Sequence, residues 1–519
     1  MTMKTKNILE FNHRFSLCIM SLGVLFMTLF FCSCSDEIKK DDIPEEEEET
    51  KPIEDWVFKI EGWEDNIEAR GGSRTIKIYS NREWRISSNR SWVTLNSKNG
   101  KACPETPIEV QVNTEFNFYD DREATITSFI YDGFSNGKKE FVLKQPKYKR
   151  KETKYQVGDP EVTFDESKFS ENYKYNAQMQ IWRQAGKQGG IPHLEDQLKE
   201  VTKVFEPGTN FNEIKAYFEN NKYEKVVALL KNGNYTMNTG IRLYNNAVLI
   251  GESRDGVIIT IDPKISPKTF GVISMYNGTN VGLRNVTVIG GWLNEDGQNY
   301  PKDDNLGKDE LPAYADFMTV NMRGSKNCYV DNVKLINNAS HSIWVTGNNN
   351  TIRNAEMDRS FCKGGGGHGY FFIGGSKNLI TNCRVSRLRH LSFQDPGTKQ
   401  NVLYDNELCQ EVTFHNNDGG DNLVENNRVY LPSTMSNAYN AIMGPWATIH
   451  KVGKKNFIYK NRCKEDNREG KTPWSDDQLY LGPYEVSVGS DNPTRYTNFR
   501  PVDSTDFPPG GTLYPVVLE

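Results

Sequence analysis

The sequence lacks several features that assign proteins to common functional classes. None of its nine cysteines forms a CxxC pair, which argues against a structural zinc site, and their spacing shows no compact disulfide framework. The chain has 63 lysines and arginines against 68 acidic residues, and the net charge of −5 gives no general footprint for nucleic acid. Histidine is scarce, with 7 residues in 519. Glycine is abundant at 42 residues, which suits a turn-rich β protein.

The N-terminal residues predict export rather than a folded domain. The apolar run at residues 15–31 has about the length of a signal-peptide core and is short for a membrane span. It ends at Cys32-Ser33-Cys34, which resembles a lipoprotein signal-peptidase site. We therefore expect a signal peptide at residues 1–33, a lipid on Cys34 and a flexible acidic tether at residues 34–55. The acidic stretch resembles a surface-export signal, which implies an outer-membrane lipoprotein exposed at the cell surface. An uncleaved membrane anchor is the alternative.

Residues 56–148 predict a small β-sandwich. Five segments alternate apolar and polar residues as strands do, namely SRTIKIYS, EWRISS, IEVQVN, EATITSFI and EFVLKQ. The run from Gly71 to Leu95 and the closing Gln145 resemble a BACON module, which accompanies surface glycan-degrading lipoproteins. Trp84 and Trp92 are candidates for stacking on sugar rings, or for the core of so small a sandwich. We favour a spacer role for this domain.

Residues 149–519 predict an all-β solenoid, specifically a right-handed parallel β-helix. Seven segments begin and end with asparagine: NVGLRN, NCYVDN, NTIRN, NLITN, NVLYDN, NLVEN and NFIYKN. Their starts, at residues 280, 327, 350, 378, 401, 422 and 456, lie 21 to 47 residues apart, which is one coil or a coil with an insertion. Asparagine tolerates the left-handed backbone of a tight turn, and stacked amides can bond from coil to coil. A helix in NFNEIKAYFENN would cap the first coil. A leucine-rich horseshoe is excluded because its leucine frame is absent.

Three histidines head three apparent strands, HSIWVT, HGYFFI and HLSFQD, and EVTFHN continues the series. Aligned from their first residues, the strands place an aromatic column, Trp344, Phe371, Phe393 and Phe414, in the core. Alternation then places three other columns on the outer face. These outward columns are His341, His368, His390 and Glu411; Ile343, Tyr370, Ser392 and Thr413; and Val345, Phe372, Gln394 and His415.

Basic residues flank this predicted face. Seven lysines and arginines lie between residues 353 and 390, against the two acids Glu356 and Asp358, so the local charge is +5, counting 7 minus 2. The seven are Arg353, Arg359, Lys363, Lys377, Arg384, Arg387 and Arg389. Such a patch would attract a polyanion. The glycine run at residues 363–369 would let a loop approach the ligand closely, or would be a flexible insertion.

The chemistry that fits these residues is β-elimination on a uronic-acid polysaccharide. It needs a group to neutralise the carboxylate, a base for the C5 proton and an acid for the leaving oxygen. Candidate catalytic residues are His368, His390, Arg389 and Tyr370, with the assignment of base and acid left open. Candidate substrate-binding residues are His341, Lys363, Arg387, Gln394, Glu411, His415 and Asn417.

The coil series, the basic residues and RLRHLSFQ at residues 387–394 resemble polysaccharide lyases of the parallel β-helix kind. In chondroitin- and alginate-cleaving members a basic residue is followed by an arginine about one coil later, and His368 and Arg389 occupy comparable places. The resemblance, which covers residues 205–470, implies a monomeric surface lyase whose substrate is a glycosaminoglycan such as chondroitin sulfate or hyaluronan.

Two other functions and a metal ion remain open. The alternatives to a lyase are a polygalacturonase-like glycoside hydrolase, with Asp395, Asp418 and Asp421 as possible carboxylates, and a non-catalytic glycan-binding lipoprotein. A hydrolase needs paired acids on the outer face, whereas a binding protein would show an exposed aromatic platform. A divalent cation such as Ca²⁺ is a possible cofactor, and the histidine column with Glu411 is a possible metal site.

Overall fold

The computed structural model describes most of the chain after the N-terminal segment. The described residues are 57–90, 92–114, 117, 121–130, 138–149, 153–262, 265, 271–290, 318–338, 340–360, 369–431, 440–444, 450–451, 453–466, 479–482 and 499–518. The predicted signal peptide, the lipid-bearing Cys34 and the tether lie outside this part. Within it, no helix is both long enough and apolar enough to cross a membrane.

Two four-stranded antiparallel sheets come first in the chain. One contains Phe58–Glu61, Gly72–Ser80, Cys103–Thr114 and Val93–Leu95, and the other Asn99–Gly100, Trp84–Ser88, Arg122–Ile130 and Lys139–Gln145. All five strand segments predicted for this region therefore form strands. Trp84 and Trp92 are 1% and 8% exposed and lie in one core cluster with Ile76 and Val110. Neither indole offers a face for a sugar ring, so the core interpretation of these two residues is the right one.

The rest of the described chain is mainly a parallel β-solenoid with three sheets, here called A, B and C. Sheet A contains Lys203–Phe205, Val226–Leu230, Ala247–Gly251, Gly282–Arg284, Tyr329–Asp331, Thr351–Arg353, Leu379–Thr381, Val402–Tyr404, Leu423–Glu425, Phe457–Tyr459 and two antiparallel final strands, Leu479–Leu481 and Arg500–Pro501. Sheet B contains Gly233–Met237, Val257–Ile261, Thr287–Ile289, Lys334–Asn338, Glu356–Ser360, Arg384–Ser386, Glu407–Cys409, Arg428–Leu431 and Arg462–Asp466. Sheet C contains Ile241–Arg242, Ile273–Ser274, Met318–Met322, His341–Val345, Tyr370–Ile373, His390–Gln394, Val412–Asn416 and Ile442–Met443.

The predicted capping helix is present as Phe211–Asn220. Asn210 begins it by accepting a hydrogen bond from the backbone N–H of Asn212, as an N-cap residue does. Its apolar face places Phe211, Ile214 and Phe218 against the interior of the first coil. The helix therefore closes the end of the core, which in a solenoid would otherwise expose apolar side chains.

Asparagine holds two different positions at the turns, which the sequence pattern did not separate. Left-handed backbone occurs at residues such as Asn280, Asn327 and Asn354, all with φ between 53° and 58°. The buried positions form ladders, in which Oδ1 of each asparagine accepts hydrogen bonds from the preceding rung. One ladder joins Asn350, Asn378, Asn401, Asn422 and Asn456, and a second joins Asn406, Asn427 and Asn461. Both predicted roles of asparagine are confirmed, although at separate positions.

The middle rung of the longer ladder provides a test of its contribution to stability. Asn401 accepts from the backbone N–H and the side-chain amide of Asn378, and its own amide donates to Asn422 and Gly375. Replacing Asn401 by alanine is expected to lower the free energy of unfolding by about 3 kcal/mol, because it leaves several buried groups without partners. The exposed turn residue Asn426 is the control, and Asn426→Ala is expected to cost about 1 kcal/mol. Urea unfolding monitored by circular dichroism compares the two; equal losses would contradict a special role for the ladder.

Sheet A is covered on its outer face. Two helices, Asn176–Trp182 and Leu194–Lys199, lie before the first coil, and Trp182 Nε1 donates to the Asp421 carbonyl at 2.6 Å. Trp182, Met179, Leu379, Val402 and Phe457 belong to one buried cluster. The short strand Val516–Val517 pairs with Thr163–Phe164 beside it. These helices and the strand pair form a cover segment that makes the outer face of sheet A inaccessible.

Candidate functional site

The register of sheet C differs from the alignment of strand starts. Tyr370, not His368, is the partner of His390 in the neighbouring strand, and Trp344 is the partner of Phe372. The glycine before the strand explains the shift: Gly369 has φ 84°, a left-handed conformation outside the extended range, and the strand begins only at Tyr370. The predicted column of three histidines is therefore wrong, because Tyr370 occupies the place given to His368.

A separate shift, of one residue relative to the Tyr370–Ile373 strand, changes which side chains face outward in the His341–Val345 strand. Ile343 and Val345 are fully buried in the solenoid core with Phe371, Phe393 and Phe414, whereas Trp344 is half-buried and stacks on Phe372 outside that core. The predicted unbroken aromatic stack is reduced to Phe393 and Phe414, whose rings lie 4.9 Å apart. The outward assignment of Ile343 and Val345 is wrong, because a strand shifted by one residue exchanges its two faces.

A buried histidine–glutamate pair is the centre of the outer face. His390 and Glu411 are 3% and 0% exposed, and Nδ1 of His390 donates a short hydrogen bond to Oε1 of Glu411. Gln410 Nε2 donates to the other carboxylate oxygen and, at 3.3 Å, to the carbonyl of Arg389. Because Glu411 accepts at Nδ1, the neutral His390 ring carries its proton there and leaves the lone pair on Nε2.

Four aromatic and imidazole rings continue from this pair across the face. The ring of Tyr370 lies 5.1 Å from that of His390 and 6.0 Å from that of His415, and His390 lies 5.6 Å from His415. His450 extends the series, 4.3 Å from His415. Burial lowers the pKa of His390 well below its ordinary value, with Arg389 and His450 adding to the effect. Burial, followed by the neighbouring His390, also lowers the pKa of His415 to about 3. These imidazoles are thus neutral near pH 7.

Arg389 is the cation beside this cluster. Its guanidinium lies 5.5 Å from the centre of the Tyr370 ring, and its backbone N–H donates to the carbonyl of Gly369 at 2.7 Å. Arg389 is half-buried, as are Gln394, His415 and His450, whereas His390 and Tyr370 are almost completely buried. We call the four half-buried residues the rim. The rim thus contributes the positive charge of Arg389 beside the buried imidazole of His390 and the buried phenol of Tyr370.

Three of the other basic residues do not form a patch with Arg389. Arg353 is buried against Asp331 and Asp159, Arg384 pairs with Glu407 at 3.4 Å, and Arg387 makes a two-point ion pair with Asp358. Arg353 belongs to sheet A and Arg384 to sheet B. The predicted patch is therefore wrong for these three arginines, because residues close in sequence are distributed around a coil and each of the three pairs with an acid from another segment.

The other predicted residues have varied positions. Nδ1 of His341 accepts from the backbone N–H of Tyr370 at 3.2 Å, and its ring contacts Trp344 and Tyr370, so it joins the cluster from the earlier coil. Gln394 pairs with Asn416 where the strand register shifts, and Asn417 follows as a turn residue with φ 48°. His368 and Lys363 lie outside the described residues, and their roles stay predictions.

Among the described residues, acid pairing of the kind a hydrolase uses is not evident around Glu411. Asp418 Oδ1 accepts from Asn456 and closes the long asparagine ladder, while the carbonyl of Asp421 accepts from Trp182. Asp395 is exposed at the turn after the His390–Gln394 strand. In the described part of the chain, no group of three or more His, Cys, Asp or Glu side chains has an arrangement that could hold a metal ion.

Sequence reasoning missed His450 and gave Trp344 the wrong place. His450 lies 35 residues after His415 with an insertion between them, so no regular spacing connected the two. Trp344 could have been assigned outward only from the true register. Cys328, Cys383 and Cys409 are buried free thiols.

Comparison with known proteins adds little to this geometry. No family model matches the sequence, and no curated protein matches it. Among solved structures, the chain resembles pectin methylesterase PemA from Erwinia chrysanthemi, with 14% identity over 53% of this chain and 92% of that one and a TM-score of 0.30. It also resembles the catalytic domain of a GH87 alpha-1,3-glucanase, with 12% identity over 78% and 84% of the chains and a TM-score of 0.31. A Bacteroides ovatus GH5 xyloglucanase matches 34% of this chain at 16% identity and a TM-score of 0.15, and the match covers 46% of that enzyme. Similarities at this level assign no activity, and the conclusion that stands is that the chain contains a parallel β-solenoid.

Proposed function

We propose that the chain is a polysaccharide lyase that cleaves a uronic-acid polymer by β-elimination on the outer face of sheet C. The observation that supports this most directly is the His390–Glu411 pair beside Tyr370 and Arg389. It offers the three roles that elimination needs: a neutral base, a proton donor and a cation for the substrate carboxylate. Sheet A is covered, which leaves sheets B and C. On sheet B, five charged side chains are paired with one another, namely those of Lys334, Glu356, Arg384, Glu407 and Arg428.

In the proposed reaction, Nε2 of His390 takes the proton from C5 of the uronate. The electron pair of that C–H bond forms the C4–C5 double bond as the C4–O4 bond breaks, and the Tyr370 hydroxyl protonates the leaving O4. Arg389 neutralises the uronate carboxylate while negative charge develops on it. The protonated His390 then returns its proton to the Tyr370 phenolate, whose ring lies 5.1 Å away, and both residues regain their starting state.

Burial places one condition on this mechanism. Because His390 and Tyr370 are 3% and 2% exposed, the rim side chains must rotate away before a sugar reaches Nε2. Exclusion of water behind a bound polymer would then strengthen the attraction between Arg389 and the uronate carboxylate.

The direct test is incubation of the purified protein with a panel of uronic-acid polymers. A lyase produces an unsaturated uronate, which absorbs in the ultraviolet, without net consumption of water. Release of reducing ends without that absorbance would favour the hydrolase and sink the lyase proposal, and neither signal would favour the binding protein. Parallel assays after dialysis against a chelator, with and without added Ca²⁺, decide whether a cation takes part. The panel should include chondroitin sulfate and hyaluronan, the polymers that we favour as substrates.

The pH dependence of activity gives a further prediction. Because the pKa of His390 is lowered, kcat/KM is expected to stay constant as pH falls below about 6.5, the ordinary histidine value, and to decline only near the lowered pKa. Arg389→Gln removes one of the charges that lower this pKa, so the acid limb of the residual activity should move to higher pH. A limb that stays at the same pH in both proteins would argue against His390 as the base. Arg384→Gln, on sheet B, is the matched control and should leave the limb in place.

We further propose that the chain acts as a monomer on the cell surface, held by a lipid on Cys34, with the N-terminal sandwich as a spacer. The burial of Trp84 and Trp92 supports a spacer over sugar binding through these two residues. Replacing Cys34 by serine and following the protein by membrane fractionation and surface proteolysis tests the anchor.

A further inference from the structure

The outer face of sheet C carries a second constellation, on the coils before the candidate site. Arg242, Tyr276, Arg323 and Trp344 come from four consecutive coils. Arg242 and Trp344 lie within their sheet C strands, and Tyr276 and Arg323 lie one or two residues after theirs. We call these four residues the arginine–aromatic row. The mechanism above does not use it.

Contacts join the members of the row in series. Arg242 Nη2 donates to the Tyr276 carbonyl at 3.1 Å, and its guanidinium lies 6.0 Å from the Tyr276 ring. The Arg323 guanidinium lies 5.8 Å from the Tyr276 ring and 5.1 Å from the Trp344 ring. A cation over an aromatic face at such distances is weakly attracted to the ring at an exposed site. These contacts therefore favour the arrangement of the row.

The row is continuous with the candidate site. Trp344 stacks on Phe372 with ring centres 4.6 Å apart, and its ring lies 4.6 Å from that of His341. His341 in turn lies 5.6 Å from Tyr370. A polymer bound along the row would therefore extend towards Tyr370, whose hydroxyl is the proposed acid.

The row is also accessible and polar. Arg242 is exposed and makes no ion pair within the described residues, and Tyr276, Arg323 and Trp344 are half-buried. The Trp344 indole N–H is itself buried and has no hydrogen-bond partner in the described part of the protein. At the far end, Arg242 and Tyr276 line a hollow with Gly240, Gly271 and the helix residues Lys215 and Glu219.

We propose that the arginine–aromatic row binds several consecutive sugar units of an anionic polysaccharide on one side of the cleavage site. The inference rests on the proposed function, since it names how that site holds its polymer. The row spans three strand spacings of about 4.8 Å each, which suits an oligosaccharide rather than one sugar. Arginine forks bind carboxylate or sulfate groups by two points, and the aromatic faces accept the apolar faces of pyranose rings.

The test compares Arg323→Ala and Trp344→Ala with Lys326→Ala. Lys326 is exposed on the same coil, three residues after Arg323, and its replacement removes the same charge from outside the row. Native gels that contain an anionic uronate polymer measure binding without requiring turnover. Both row variants are expected to lose about 10-fold in affinity, and Lys326→Ala less than twofold. In turnover assays, KM for long polymer should rise about 10-fold with kcat within threefold, and the shortest cleaved substrate should be unaffected.

The outcomes separate this inference from the proposed activity. The wild-type protein could be retarded in the polymer gel, and the row variants not retarded, while no elimination products form. That result would support polymer binding by the row and overturn the lyase proposal. Elimination with unchanged affinity and KM in the variants would overturn the row alone. Equal retardation by a neutral polymer would overturn the anionic ligand class. If an alanine variant fails to fold, Arg242→Ala and Trp344→Phe replace it. Arg242 is at an exposed position, and thermal melting checks that each variant is folded.

Discussion

His390→Gln is expected to lower kcat by about 10²–10⁴-fold while the protein stays folded. The glutamine amide can still reach Glu411, but it has no lone pair of comparable basicity to accept the C5 proton. Because His390 touches the reacting atoms in the proposed mechanism only through proton transfer, KM should change by no more than a few-fold. Steady-state kinetics on the best polymer of the panel provide both values.

His193→Gln is the matched control. His193 is an exposed histidine of the cover segment and pairs with Glu161 at 2.7 Å. It is not part of sheet C and has no role in the proposed mechanism. Its replacement should leave kcat unchanged. If His390→Gln retained kcat within about threefold of wild type, His390 would not be the base, and His368 would become the first candidate to examine.

Glu411→Gln is expected to lower kcat by about 10²–10⁴-fold, although Glu411 never contacts the substrate in the proposed mechanism. Its carboxylate accepts the Nδ1 proton of His390 and so keeps the lone pair on Nε2. A glutamine amide that donates to Nδ1 would reverse the tautomer and put the proton on Nε2, where the base must be free. Glu411 is thus a positioning residue, and kcat should fall with little change in KM.

Glu407→Gln separates this effect from the general cost of removing a buried carboxylate. Glu407 is 1% exposed and pairs with Arg384 and Arg428 on sheet B. Its replacement should lower the melting temperature, because it leaves buried arginines without their charge partner, but should leave kcat within about twofold. Equal losses of kcat in the two variants would show that Glu411 acts through stability rather than through the tautomer of His390.

The repeat was the most predictable feature of this chain. Asparagine at both ends of seven segments predicted the solenoid, because turn geometry and amide stacking are local requirements that each coil must meet separately. The capping helix and the short strands that follow it were predictable for the same reason. The distinction between left-handed turn residues such as Asn354 and ladder residues such as Asn401 was not, since both positions favour the same side chain.

The candidate site was predictable in membership but not in arrangement. His390, Glu411, Tyr370 and His415 were all chosen from sequence, and the structure brings them together. The predicted strand register was wrong at both coils before His390, because the strand after Gly369 begins at Tyr370 and only the backbone conformation of Gly369 fixes that start. Because of an error of one residue in the register, the prediction placed Trp344 in the core and Ile343 on the surface.

The solenoid, and the collection of scarce histidines on one coil face, could be inferred from periodicity and composition, which are properties of the chain alone. The pairing of each base with its acid could not be inferred in this way. Arg387 and Arg353 pair with Asp358 and Asp331 from other strands, and His390 pairs with Glu411, which lies one coil later. Such pairings depend on the stacking of coils about 4.8 Å apart, a distance that sequence separation does not encode.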